Sequence, residues 1–387
     1  MLFSQCCIAI KNVIGYQCKK RWFYILIPVL FVSYFYWHVY DLSKNKHAVY
    51  DFSVGVDEYS YNKSLLTHNL ILFDERNGVS NHKTAELAIA HVNFYLSEVR
   101  KICSPDSNNK QFISCANKIL GKYFYYKPSD EVSTAYANGY SDCDLNSYLI
   151  MDAARNAKKE VNVVFSPGHA FVAFADSQGN SYFWETTGGH NTGHLANMQY
   201  PFYRKNTNPF YYTQKTMEDV KLIYPVLVLD AMPSQYQTTV IQSLSDDVRH
   251  TPLFANFYYE HKNPLTADDV RNLTGMIQTD FTSPEKKIIL AKYYVSHGVP
   301  EKAKQMLSSI EYLDCGRSCL EYARHYLFGS QVLFIVDSMF RYYGVTLSTF
   351  DREFITNDAE WLFLAVFVMV FVVEAYHCGK KQWSHKR

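Results

Sequence analysis

Cys143 lies in the stretch Gly139-Tyr140-Ser141-Asp142-Cys143-Asp144-Leu145-Asn146-Ser147. His169 follows 26 residues later, in Gly168-His169-Ala170, and Glu185 follows 16 after that, in Trp184-Glu185-Thr186-Thr187. Thiol, imidazole and carboxylate in that order are the parts of nucleophilic acyl chemistry. A cysteine attacks an acyl carbon only as its thiolate. An imidazole in contact takes the thiol proton and later returns it to the leaving group. A carboxylate on the second ring nitrogen fixes the tautomer and the orientation of the ring. The N-terminus of a helix also favours the anion, and Cys143 stands at such a start if a helix runs from Asp144. Asp142 and Asp144 oppose a thiolate, so more falls to the histidine.

The flanking pattern supplies elements to hold these groups. Leu145, Tyr148, Leu149, Asp152, Ala153 and Asn156 recur at helical spacing, which predicts a helix over 144–158. Residues 161–166 read as a short apolar strand. Residues 169–176 alternate, Ser177-Gln178-Gly179-Asn180 is a turn, and 181–186 return, which predicts an antiparallel hairpin. With Ser177 opposite Asn180, His169 falls opposite Gly188. Glu185 is then three residues out of register and needs a bulge to reach the histidine. The loop Gly188-Gly189-His190-Asn191-Thr192-Gly193-His194 reads as a lid or as a connector. His190 and His194 share helical spacing, but the flanking glycines argue against a helix and so against a zinc site.

Further elements frame this centre. Thr84 to Ile102 and Gln111 to Leu120 read as helices, the first capped by Thr84. Lys221 to Leu229 reads as a strand. From Pro252 the pattern is helical: Glu285–Gly298 and Pro300–Ile310 form a pair joined at Gly298-Val299-Pro300. Ala291, Tyr294, Gly298 and Ala303 suit either a tetratricopeptide-like repeat or an unrelated helical hairpin. A last helix is expected over about 320–343.

Hydrophobic residues make up 48 % of the 387, enough for a sizeable core. Net charge is +1 and no basic stripe is present, which gives no case for nucleic acid. Residues 22–40 contain no formal charge and are long enough to cross a bilayer as a helix; a cleaved signal peptide is the other reading, though a small-residue cleavage site is absent. The apolar run 361–373, extended to 359–378, reads as a second span or as a buried core helix. Lysines and arginines precede the first run and follow the second, which predicts both termini in the cytoplasm of an inner (plasma) membrane protein and the intervening residues on the far, periplasmic side. Of the five cysteines between the runs, Cys103 with Cys115 and Cys315 with Cys319 are the local pairings, which leave Cys143 over; the other possibility is that none pair.

The stretch GYSDCDLNS…SPGHAFVAF…YFWETT resembles the transglutaminase-like superfamily, in a membrane-anchored bacterial-type form; that superfamily shares the papain-like cysteine-peptidase fold. The resemblance covers roughly 84–230. It implies that Cys143 is the nucleophile, His169 the base and Glu185 the orienting acid, with glutamate where the family usually has aspartate. For the oxyanion, the Cys143 backbone N–H is a candidate, with Tyr140 and Asn138 nearby.

The expected fold is α+β: a transglutaminase-like domain, with the cysteine helix packed on an antiparallel sheet, then a helical region, with one transmembrane helix at each end. The expected boundaries are a cytoplasmic segment 1–21, a span 22–40, a stalk 41–83, the transglutaminase-like domain 84–230, a helical region 231–358, a span 359–378 and a tail 379–387. The expected function is cysteine-dependent acyl chemistry on peptide or amide bonds, with hydrolysis favoured over cross-linking, and without cofactor or metal. The alternative is an inactive module that assembles a membrane complex. Expected partners are a peptide or protein substrate and a protein bound by the helical region.

Overall fold

The side chain of Asn81 accepts a hydrogen bond from the Thr84 N–H, and the chain enters a 21-residue helix from there. Asn81, not Thr84, is therefore the cap. The computed structural model describes residues 60–198, 208–310, 315 and 317–342. In chain order these form α1 (Leu66–Arg76), α2 (His82–Ile102), α3 (Asn109–Tyr123), β1 (Tyr125–Tyr126), α4 (Val132–Ala137), β2 (Tyr140–Ser141) and α5 (Cys143–Asn156). Then come β3 (Asn162–Ser166), β4 (His169–Ala175), β5 (Ser181–Glu185), α6 (Gly188–Asn191), β6 (His194–Leu195), β7 (Gln214–Lys215) and α7 (Met217–Leu227). The helices α8 (Ser234–Ser243), α9 (Asp246–Arg249), α10 (Pro252–His261), α11 (Ala267–Thr279), α12 (Pro284–Ser296), α13 (Pro300–Ser308), α14 (Arg317–Ala323) and α15 (Phe328–Tyr342) follow. The chain divides into one unit over Lys46–Met339 and a second made of Met1–Asn45 with Phe340–Arg387.

The α+β expectation corresponds to the structure in its main elements. A five-stranded antiparallel sheet has the order β6-β5-β4-β3-β7. Val163, Phe165, Ala170, Val172 and Phe174 belong to the same core as Leu145, Tyr148 and Leu149 of α5. Tyrosines carry much of that core: Tyr95, Tyr136, Tyr148 and Tyr224 are fully buried. Burying a phenol requires a partner for its hydroxyl. Tyr136 finds the Leu145 carbonyl (2.6 Å) and Tyr224 finds the Asp74 carboxylate (2.7 Å).

Two segments differ from expectation. Within the residues read as a stalk, 66–76 form α1, whose apolar face (Leu66, Leu70, Ile71) enters the main core. Its first N–H groups lack an adjacent cap. They bond instead to Asp152 of α5, from Leu66 (2.7 Å) and Thr67 (2.9 Å), and the Thr67 hydroxyl joins them (2.6 Å). The apolar run 221–229, expected as a strand, mostly lies in α7. Thr216 and Asp219 form a reciprocal capping box that starts the helix, and Val220, Ile223, Tyr224 and Val226 are its buried stripe. A short apolar run does not by itself distinguish strand from helix.

The two-pass membrane architecture, with its cytoplasmic termini and periplasmic centre, is corrected: among the described residues no helix is long and apolar enough to cross a membrane. Even the 21-residue α2 carries Lys83, Glu86, Glu98, Arg100 and Lys101. The runs at 22–40 and 359–378 lie outside the described residues. Cys103–Cys115 and Cys315–Cys319 are disulfides. Ala291 and Ala303 are buried together where α12 meets α13, with Tyr294 packed against them, so the expected helix pair is present.

Candidate active site

Cys143 is the first residue of α5, and Asp142 before it has extended backbone (φ −130°, ψ −157°). The first N–H groups of an α-helix have no carbonyl of their own helix to bond. The Cys143 N–H is one of those first groups. The Asn138 amide donates to the Thr134 carbonyl in its own helix (2.7 Å). Tyr140 is buried beside Tyr125, with the Lys127 ammonium over its ring.

The residues around the cysteine hold it from two sides. The Ser147 hydroxyl donates to the Cys143 carbonyl (2.6 Å), and so does Thr186 at the end of β5 (3.3 Å). Thr186 directly follows Glu185, so this second bond ties the start of the cysteine helix to the strand that carries the carboxylate. Cys143 is in neither disulfide.

His169 begins β4 immediately after a two-residue turn. Pro167 is the first central residue and Gly168, at φ +64°, the second, which is the pattern of a type II turn. Ser166 pairs with His169 across it. The imidazole lies edge-on to Phe171, with centroids 4.6 Å apart.

His169 Nε2 and Glu185 Oε2 are 2.5 Å apart, and the two residues are only 8 % and 3 % exposed. The other carboxylate oxygen, Oε1, accepts from the Thr187 N–H (2.9 Å) and the Thr187 hydroxyl (2.6 Å). No bulge is needed, because the register is one residue away from the expected one. Ala175 pairs with Ser181 and Val172 with Trp184. Extended, this register puts Thr187 opposite His169. Glu185 then lies two residues along on the same face, as a diagonal neighbour. A one-residue slip would have turned Glu185 to the other face. Asp176 is the cause: it accepts from the Gln178 and Asn180 N–H groups (2.8 and 2.9 Å) and closes the turn one residue earlier.

Because the carboxylate occupies Nε2, the nitrogen remaining for exchange with a thiol is Nδ1. The cysteine end of α5, the start of β4 and the end of β5 thus bring the three expected residues to one region of the fold.

Sequence reasoning did not single out the polar network beneath them. Asn191 is fully buried at φ +63°; its amide donates to the Phe124 carbonyl (3.0 Å) and its oxygen accepts from Asn146 on α5 (3.0 Å). Ser141 bonds the Asn146 oxygen. Asn117 on α3 donates to the carbonyls of Thr186 (3.0 Å) and Asn191 (2.5 Å) and accepts from the Trp184 indole (2.8 Å). This clamps the segment after Glu185 to α3 and α5. Of the two readings of the loop 188–194, lid or connector, these bonds fit the connector. Gly193, at φ +69°, passes so close to the Asn117–Trp184 pair that a Cβ would collide with both. Partners scattered over 75 residues give no local signal; only Thr186 and Thr187, inside the quoted motif, were visible.

Electrostatics at the cysteine are acidic. Asp142, Cys143 and Asp144 place one ligand atom each within 4.8 Å of one another. The Asp142 carboxyl is pushed well above the usual carboxylate range, first by burial and then by the Asp144 charge. Asp142 Oδ2 accepts from the Ser129 N–H (2.9 Å), and the Asp142 carboxyl is hydrogen-bonded with the Asp144 side chain.

No protein-family model matches the chain, and no curated protein matches it. Among solved structures, one described as "Crystal structure of menin reveals the binding site for Mixed Lineage Leukemia (MLL) protein" is similar at a TM-score of 0.46 and 10 % identity, covering 78 % of this chain and 76 % of that one. Similarity at that level establishes neither a shared fold nor a shared role.

Proposed function

We propose that the chain is a transglutaminase-like cysteine enzyme acting on peptide or amide bonds, with hydrolysis favoured over cross-linking. The observation that carries this reading is the buried 2.5 Å contact between His169 Nε2 and Glu185 Oε2 on the strands beside the Cys143 helix. An ion pair or charged hydrogen bond in such a place costs desolvation, which the two Thr187 bonds to Glu185 Oε1 offset in part.

In the proposed reaction the Cys143 thiol gives its proton to His169 Nδ1, and the sulfur forms a bond to the acyl carbon. The carbonyl oxygen takes the negative charge, next to the Cys143 N–H. Collapse breaks the carbon–nitrogen bond, and the imidazolium proton leaves with the amine. Water then attacks the thioester, gives one proton to His169 and releases the acid, and the thiol regains its proton. Glu185 carries no proton in the cycle; it holds the ring with Nδ1 toward the sulfur.

A cysteine-directed acylating probe tests this. Fast labelling at Cys143 that is lost in Cys143→Ala and strongly slowed in His169→Ala supports it. Labelling no faster than an ordinary thiol, and unchanged by His169→Ala, refutes it. One observation favours the second reading, an inactive binding or assembly module: the Asp144 carboxylate stands beside the thiol together with Asp142, and its charge opposes ionisation.

A further inference from the structure

We propose that Lys286 and Asn256 join in an amide cross-link between α12 and α10, formed by the protein itself with Asp280 as the proton carrier. Lys286 lies in the first turn of α12, yet its side chain is only 1 % exposed, as is that of Asp280. An ammonium has three protons to donate, and its three acceptors all come from outside α12. They are Asp280 Oδ2, just after α11 (2.6 Å), Asn256 Oδ1 on α10 (2.5 Å) and the Pro252 carbonyl (3.3 Å). An amine, a primary carboxamide and a carboxylate thus meet at one buried point. With a C=O bond of about 1.23 Å, the Asn256 amide carbon is at most about 3.7 Å from Nζ. Reacting atoms held for attack stand about 3–3.5 Å apart.

These three groups supply each part of an amide exchange. An ammonium has no lone pair and attacks nothing until it loses a proton. In a site closed to water a charged pair costs desolvation, and transfer of one proton from Nζ to Asp280 leaves both groups neutral. Nζ then forms a bond to the Asn256 Cγ, and the Asp280 proton goes to the amide oxygen. Asp280 next takes a proton from the attacking nitrogen and passes it to the amide NH2. The carbon–nitrogen bond to that group breaks, ammonia leaves with the proton of the oxygen as ammonium, and the new amide remains. One cation enters as Lys286 and one leaves as ammonium. Asp280 ends as it began, and no oxidant or co-reactant is required. Asn256 is half-buried rather than enclosed, which gives the ammonia a way out.

This reaction involves none of Cys143, His169 and Glu185, and its test reads the new bond directly. The full-length protein is denatured, reduced, digested with trypsin and analysed by mass spectrometry. A branched peptide joining Asn256 to Lys286 is expected, lighter than the two separate peptides by one ammonia and uncleaved after Lys286. Asn256→Ala should abolish it, and Asp280→Asn should reduce it at least tenfold in protein with the wild-type circular dichroism spectrum. Cys143→Ala should form it in full, which separates it from acyl transfer by the thiol. Separate peptides with an unmodified Lys286 in the wild type overturn the proposal and leave an ion pair only, whatever the variants do. A cross-link undiminished in folded Asp280→Asn overturns the role of Asp280. One lost in folded Cys143→Ala overturns the self-catalysed reaction. The absence of the cross-link leaves the proposed chemistry at Cys143 unaffected.

Discussion

Replacing Glu185 by glutamine tests the positioning role with almost no change in shape. Both carboxylate oxygens are in use: Oε2 faces His169 Nε2 at 2.5 Å, and Oε1 accepts two bonds from Thr187. Glutamine has one oxygen. If its NH2 turned to Thr187, it would meet the backbone N–H, a donor that cannot rotate away. The less costly arrangement keeps the amide oxygen on Thr187 and points the NH2 at Nε2. It then donates to an unprotonated Nε2 and moves the proton of the neutral ring to Nδ1, where the lone pair of the base is required. A hydrogen bond to a charged group contributes about 1.5–3 kcal/mol, against about 1 kcal/mol for a neutral one. The imidazolium therefore loses about 0.5–2 kcal/mol, a factor of about 2–30 in the thiolate–imidazolium population. Alkylation rate tracks that population. Iodoacetamide labelling of Cys143, read by mass spectrometry across the neutral pH range, should slow by that factor in Glu185→Gln and no further in the double variant with His169→Ala than in His169→Ala alone. A wild-type rate and pH profile in a normally folded Glu185→Gln protein would refute the reasoning.

Asn191→Ala removes the partners of the Phe124 carbonyl and the Asn146 amide; at about 1–3 kcal/mol per buried group left unpaired, a loss of about 2–6 kcal/mol is expected in chemical denaturation. Because Asn191 has φ +63°, Asn191→Gly should recover about 1 kcal/mol of that loss. Gly168→Ala meets open space and should cost only the left-handed backbone term of about 1–2 kcal/mol, whereas Gly193→Ala drives a Cβ into the Asn117–Trp184 hydrogen bond and should cost more, as the ratio of their denaturation midpoints will show. Burial pushes the carboxyls of Asp74 and Asp152 up to about 6. The folded state therefore binds their protons more tightly than the unfolded state does, so their contribution to stability is greatest below pH about 4, falls as pH rises to about 6 and is constant above it. With a span of about two pH units each, the stability of wild type relative to Asp152→Asn should fall by up to about 3 kcal/mol between pH 4 and 7; a flat difference would contradict the assignment.

What was legible in the sequence was local. Pro167-Gly168 marks a turn, the alternation after it marks a strand, and the apolar spacing after Cys143 marks a helix; together these place the thiol and imidazole. What was not legible depends on distant partners. The start of α1 is capped by Asp152 on another helix, so 66–76 carry no nearby cap signal. The hairpin register turns on Asp176, which reads equally well as the last residue of a strand or the first of a turn. Its side chain decides the matter by taking the Gln178 and Asn180 N–H groups. Glu185 faces His169 because of that choice, 9 residues away along the chain.

The same dependence on surroundings governs the thiol. Asp142, Asp144 and a Cys143 thiolate would put three negative charges within 4.8 Å, and like charges at such range do not all ionise. Burial removes one of them by raising Asp142, with the Asp144 charge acting in the same direction. A His169 imidazolium against Glu185 is neutral as a pair, so it adds a nearby positive group without adding net charge. What then remains to oppose the thiolate is Asp144. Asp144→Asn should therefore speed alkylation of Cys143, while Glu185→Gln slows it. The two substitutions each remove one carboxylate charge from the same site, so opposite signs would separate an orienting acid from an opposing one. Equal and parallel effects would mean that both act only through the net charge around the sulfur.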